Sequence, residues 1–155
     1  MRFVADSSLL LRLYLHDSHM EAIERFLAEG AKVVSVTDPA RVEVLNVLRR
    51  QKSRAEQFLA DLQEGLRLRL EAVDWPRAFH QAESLARRFS STLRPGGHDL
   101  VLVAAAVTIG GTWFLSLDRH SRQRALAAAA GLRVWPPLDK NEKGLVKHAS
   151  REARG

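Results

Sequence analysis

Four acidic residues stand where catalytic acids commonly stand: Asp6, Glu43, Asp99 and Asp118. Asp6 ends the apolar run Phe3-Val4-Ala5, and Asp118 ends Phe114-Leu115-Ser116-Leu117. Glu43 lies one turn into the helical stretch that follows the β-branched run 32–36, and Asp99 opens an apolar stretch that continues to Ile109. If the strands carrying Asp6 and Asp118 are neighbours, all four carboxylates face one crevice. Like charges that close repel, so the cluster needs a cation. An all-oxygen donor set in a chain without cysteine favours Mg²⁺ or Mn²⁺ over zinc. One or two such ions activate a water and stabilise charge on a phosphodiester under attack. Each acid also has an ordinary structural use: Asp6 and Asp99 as helix N-terminal acids, Asp118 as a turn residue, Glu43 as an exposed helical glutamate.

The elements that must position these acids follow from hydrophobic period and from turn residues. Strands are expected at the first apolar run and over 32–36, 66–70, 112–117 and 132–135, the 66–70 strand near a sheet edge because arginine alternates with leucine. Helices are expected over 8–15, 19–28, 39–51, 53–64, 74–89, 98–109 and 119–130, with a polar break at His16-Asp17-Ser18 and a loop over 90–97. Strands that alternate with helices imply a three-layer α/β/α sandwich around a short, mainly parallel sheet of about five strands. Residues 1–136 make the folded domain in this reading, and 137–155 a polar, basic tail.

The bulk properties limit the function classes. A chain of 155 residues that is 46% hydrophobic folds as one domain. Charged residues interrupt every apolar run before it reaches bilayer length, and the N-terminus does not read as a signal peptide, so a cytoplasmic protein is expected. The absence of cysteine removes disulfides and thiol nucleophiles. The excess of 24 Lys+Arg over 18 Asp+Glu suits a polyanionic partner such as nucleic acid, or reflects an arginine- and alanine-rich composition alone. Ser7 and Ser8 sit in no Gly-x-Ser-x-Gly elbow, and no glycine-rich phosphate loop is present. A phosphotransfer receiver would need paired acids after the first strand and a late lysine; Asp6 stands alone, and no lysine occurs between Lys52 and Lys140.

The segments Phe3-Val4-Ala5-Asp6-Ser7-Ser8, Arg41-Val42-Glu43-Val44-Leu45, His98-Asp99-Leu100 leading to Ala104-Ala105-Ala106, and Phe114-Leu115-Ser116-Leu117-Asp118 resemble the PIN-domain family in order and spacing. The likeness is strongest to its bacterial toxin branch, the ribonuclease half of VapBC-type toxin–antitoxin pairs. Arg122-Gln123-Arg124 and the residues after it are similar to a subset of that family. The resemblance implies a PIN-like fold in which Asp6, Glu43, Asp99 and Asp118 bind Mg²⁺ or Mn²⁺ and support RNA hydrolysis. It also implies that Ser116, where the family usually has threonine, steadies the site. No carboxylate follows Asp118 in its turn, which leaves the number of metal ions open. Asn46, one turn after Glu43, either bonds a metal-held water or is satisfied by backbone. His98 and His120 read as bystanders or RNA contacts, and Lys52, Arg54 and Arg94 as phosphate contacts or solvated surface. Trp75, Trp113 and Trp135 read as core or interface. The implied partners are RNA, a small antitoxin that covers the crevice, and a second copy of the chain docked through the early helices. The alternative is a PIN-fold RNA-binding or interaction module with little activity.

Overall fold

The sheet is built outward from its first strand. In a computed structural model that describes residues 1–15, 17–30 and 32–155, β1 (Phe3–Ala5) pairs in parallel with both β2 (Val34–Val36) and β4 (Trp113–Leu115). Outside these lie β3 (Leu68–Leu70) and β5 (Arg133–Trp135), in the order β3-β2-β1-β4-β5 and parallel throughout. The chain runs from β1 to one edge and then returns to the other side, so the strand order reverses between β1 and β4. In open parallel sheets that reversal opens a crevice beyond the carboxyl ends of the strands. The register Ala5↔Leu115 puts Asp6 and Ser116 side by side at its mouth.

Alternate strand residues serve opposite layers, as the two-residue strand period requires. Phe3, Ala5 and Leu115 pack with α1 (Ser7–Arg12), α2 (Met20–Ala28), α3 (Asp38–Arg50) and α4 (Ala55–Glu64). Val4 and Phe114 face the other way, onto α5 (Trp75–Leu93), α6 (Gly97–Thr108), α7 (Gln123–Ala129) and α8 (Lys140–Arg154). The three-layer sandwich with five parallel strands is therefore the observed fold, and β3 is an edge strand as its alternating arginine implied. Among the described residues no helix is long and apolar enough to cross a membrane. Gly111 has to be glycine, because a Cβ there would lie 2.6 Å from the Ala106 carbonyl oxygen as the chain enters β4.

Several element ends shift by up to three residues from expectation; the three largest differences each have a local reason. α5 does not stop at Phe89, because Leu93 extends the buried stripe Ala78, Ala82, Leu85, Phe89 by one more turn and the serines between face outward. α7 begins at Gln123 rather than Arg119, because Asp118 folds the preceding residues into a turn by accepting the His120 and Ser121 backbone N–H groups at 2.9 and 3.1 Å. The expected 137–155 tail is instead helix α8. Asp139 caps it, accepting from the Glu142 N–H at 2.8 Å while Glu142 accepts from the Asp139 N–H at 3.0 Å, a reciprocal capping box. Leu145, Val146 and Ala149 then pack on the α5–α7 layer. Of the expected polar break, His16 lies outside the described residues.

Arg124 joins α8 to the sheet. Its side chain is wholly buried; Nε meets Glu142 Oε2 at 2.9 Å, Nη1 donates to the Ser116 carbonyl, and Nη2 donates to the Pro136 carbonyl at 2.7 Å. A guanidinium removed from water persists only with such a full set of acceptors. Arg124→Met deletes the donors to Glu142 Oε2 and to the Ser116, Pro136 and Pro137 carbonyls. We expect it to cost about 3–5 kcal/mol, the usual effect of breaking a buried pair, measured as a lower urea midpoint. A loss below about 1 kcal/mol would show that α8 is held by its apolar stripe alone.

Candidate active site

Asp6 follows β1 directly and is the N-cap of α1, in extended backbone. The side chain is 3% exposed, and each carboxylate oxygen accepts two hydrogen bonds. Oδ1 accepts from Ser8 Oγ at 2.6 Å and from the Leu9 N–H at 3.1 Å. Oδ2 accepts from Ser116 Oγ at 2.6 Å and from Gln123 Nε2 at 2.7 Å. Burial disfavours the charged form more than these donors favour it, so the carboxyl is pushed up from an ordinary 3.8 to about 6, with the Asp118 charge adding to the rise.

Asp118 stands beyond β4, half-buried. Its Oδ1 is tied into the turn by the His120 and Ser121 N–H groups, and its Oδ2 accepts from the same Gln123 Nε2, at 3.3 Å. Ser116 serves both acids, donating to Asp6 while its oxygen accepts the Asp118 N–H at 3.1 Å. Ser8 closes the loop by accepting the Leu117 N–H at 2.9 Å. Asp6 and Asp118 therefore aim at one point, and that point holds the nitrogen of Gln123.

The other two acids have different partners. Glu43, on α3, accepts from Ser7 Oγ at 2.5 Å through Oε2 and meets His98 Nε2 at 2.5 Å through Oε1. Asp99, in the first turn of α6, accepts the Gly96 N–H at 3.0 Å. The four expected acids thus form a connected row at the strand ends, from Asp118 through Gln123 to Asp6, from neighbouring Ser7 to Glu43, and through His98 to adjacent Asp99. They do not form one cage: among the described residues no group of three or more His, Asp or Glu side chains is close enough to hold a metal ion. Asn46 is exposed on α3, and no described hydrogen bond links it to the acids. Gln123 had no signal in the sequence beyond its place five residues after Asp118, and His98, expected as a bystander or an RNA contact, touches Glu43.

A hard divalent cation suits the Asp6–Asp118 pair. Both groups are carboxylates, they converge on a single position, and one of them is buried with no counter-ion among the described residues. Glu43 and Asp99 join such a site only by turning away from Ser7, His98 and Gly96.

The comparisons agree with this architecture. VapC20 of Mycobacterium tuberculosis, a toxin that cleaves the sarcin–ricin loop, has a similar structure: TM-score 0.62 and 20% identity, with 86% of this chain and 99% of that one covered. PAE2754 of Pyrobaculum aerophilum is similar over 97% of this chain and 96% of its own, with TM-score 0.53 and 13% identity. At such identities the likeness is one of fold. No curated protein sequence matches this chain. The family model described as PIN domain matches residues 3–129, a span that takes in all four acids and the whole of α7. This chain belongs to the PIN-domain family.

Proposed function

We propose that this protein is a metal-dependent endoribonuclease, the toxin of a toxin–antitoxin pair, working in the cytoplasm. The observation that carries this reading is the convergence of Asp6 and Asp118 on one buried point at the reversal of the strand order. A Mg²⁺ or Mn²⁺ ion held there would acidify water and neutralise charge on a phosphodiester. The chain's own residues have distinct parts. Asp6, locked by Ser8, Leu9 and Ser116, fixes the position; Asp118 supplies the facing carboxylate; Asp99 and Glu43 complete the set. His98, freed as Glu43 turns to the cation and open to solvent, would take the proton that water gives up as it adds to phosphorus, and the leaving sugar oxygen would draw a proton from solvent as its bond breaks. A net charge of +6 favours capture of the polyanion. The sarcin–ricin loop cut by VapC20 makes structured RNA the first substrate to try.

A cognate antitoxin and a homodimer belong to the same proposal. The early helices are not free for this: Ile23 and Leu27 are buried, and Phe26 stacks on Trp135 with ring centres 4.3 Å apart. An apolar groove of about 570 Å³ lies instead beside Glu43, lined by Pro39, Val42, Trp75, Phe79 and Val101. A protein seated there would cover Glu43. The competing reading, an RNA-binding module with little activity, draws on the fact that every acid already has protein donors.

Cleavage of a structured RNA panel separates the two. The expected result is cutting with Mg²⁺ or Mn²⁺, none with EDTA, and background levels for Asp6→Asn and Asp99→Asn. Ser116→Ala should lose roughly 10–100-fold, the usual effect of removing a group that orients a metal ligand. A folded, antitoxin-free wild type that neither cuts RNA nor gains thermal stability with metal would favour the binding module.

Asp6 also sets a pH dependence. Its carboxyl is raised in the folded state, so this contribution to stability is fully present below the unfolded value of 3.8 and lost as pH rises through about 6. The loss is on the order of 3 kcal/mol. Metal-free wild type should therefore weaken between pH 4 and pH 7 in thermal or urea unfolding, and Asp6→Asn should show a flatter profile. Equal slopes for the two proteins would contradict it.

A further inference from the structure

The hydrogen bonds at Asp6 raise a question of capacity. A carboxylate offers about four lone-pair sites, and Asp6 has all four engaged by Ser8, Leu9, Ser116 and Gln123. A cation can bind Asp6 only if one donor leaves. The Leu9 N–H is fixed by α1. The hydroxyls of Ser8 and Ser116 are each also tied to backbone, accepting the N–H groups of Leu117 and Asp118.

Gln123 is different. Its Nε2 bridges Asp6 and Asp118 at 2.7 and 3.3 Å, so it sits where a shared cation would sit. The side chain is 4% exposed, yet among the described residues its Oε1 has no hydrogen-bond partner. Turning the amide over would aim that oxygen at two carboxylates, so the assignment of nitrogen toward the acids is the physical one. The unpartnered oxygen means the carboxamide is held at one end only, by the two acids themselves. When those acids take up a cation, no other described hydrogen bond retains the carboxamide.

We propose that Gln123 is a stand-in for the cation. In the metal-free protein its amide N–H groups offset the repulsion between Asp6 and Asp118, and metal binds by displacing it. Gln123 is thus a positioning residue that stabilises the empty site and weakens the protein's hold on metal. This rests on the metal-dependent reading above.

The test uses the full chain, stripped with EDTA and dialysed, titrated with Mn²⁺ by calorimetry. Gln123→Met, close in size and without donors, should lower the metal-free melting temperature and tighten the Mn²⁺ Kd by about tenfold, the scale of one hydrogen bond to a charged group. Gln123→Asn, too short to bridge both acids, should act the same way and serves if the methionine variant does not fold. In ¹⁵N-labelled wild type, saturating Mg²⁺ should move the Gln123 side-chain NH₂ signal toward that of a solvent-exposed amide. Wild type that binds Mn²⁺ while both variants bind equally or more weakly, or an NH₂ signal unmoved at saturation, overturns the role of Gln123 and leaves the metal site standing. Failure of wild type and variants alike to bind Mn²⁺ overturns both.

Discussion

A carboxylate placed at the inner end of a sheet has to be surrounded by donors, and the arrangement around Asp6 follows from that need. Moving a carboxylate out of water costs several kcal/mol even after the protein relaxes, whereas a hydrogen bond to a charged group returns about 1.5–3 kcal/mol. One donor is not enough. Asp6 collects its four from three separate parts of the chain: the first turn of α1, the end of β4 and the start of α7. That requirement places β4 beside β1 and makes α7 return over the same strand end. Even so burial prevails, and the carboxyl stays well above its ordinary range. The residual imbalance suits the cation proposed for this position, because positive charge there would offset the cost of burying the carboxylate.

The second constraint is the buried guanidinium of Arg124. Ser116 cannot steady Asp6 unless the strand end that carries it is itself steady, and the Ser116 carbonyl accepts directly from Arg124. Arg124 is held in turn by Glu142, which also meets Arg119 at 3.0 Å. The C-terminal helix therefore belongs to the support of the site, although it contributes no group to the crevice. Its capping box and its apolar stripe fix Glu142 at the height of the β4 end.

The sheet and its acids were legible because they rest on local patterns. Phe3-Val4-Ala5 followed by Asp6, and Phe114-Leu115 followed by Ser116 and Asp118, are short apolar runs that stop at polar residues, and a buried parallel strand has few other appearances. Helix α8 was not legible in the same way. Its stripe of Leu145, Val146 and Ala149 is thin within a lysine- and arginine-bearing stretch, and the Asp139–Glu142 cap was its one clear signal. Gln123 was beyond reach for another reason. An amide acquires its meaning only when residues 6, 118 and 123 meet in space, and no periodicity reports that. The groove beside Glu43 was hidden likewise, since Val42 and Phe79 look like core residues until α3 and α5 are seen to leave them 61% and 54% exposed.

The two serines after Asp6 divide the site into halves of different rigidity. Successive helical residues point about 100° apart, so Ser8 reaches back to Asp6 and the β4 end while Ser7 reaches out to Glu43. On the Ser8 side, the acids are fixed by backbone N–H groups and by side chains packed in the core. On the Ser7 side, Glu43 is held by one hydroxyl and one solvent-exposed histidine, and Asp99 by a single backbone N–H. Side chains held so lightly re-aim at small cost. On the proposed reading, assembly of all four acids around a cation would draw its rearrangement from Glu43 and Asp99, with Asp6 and Asp118 as the fixed frame.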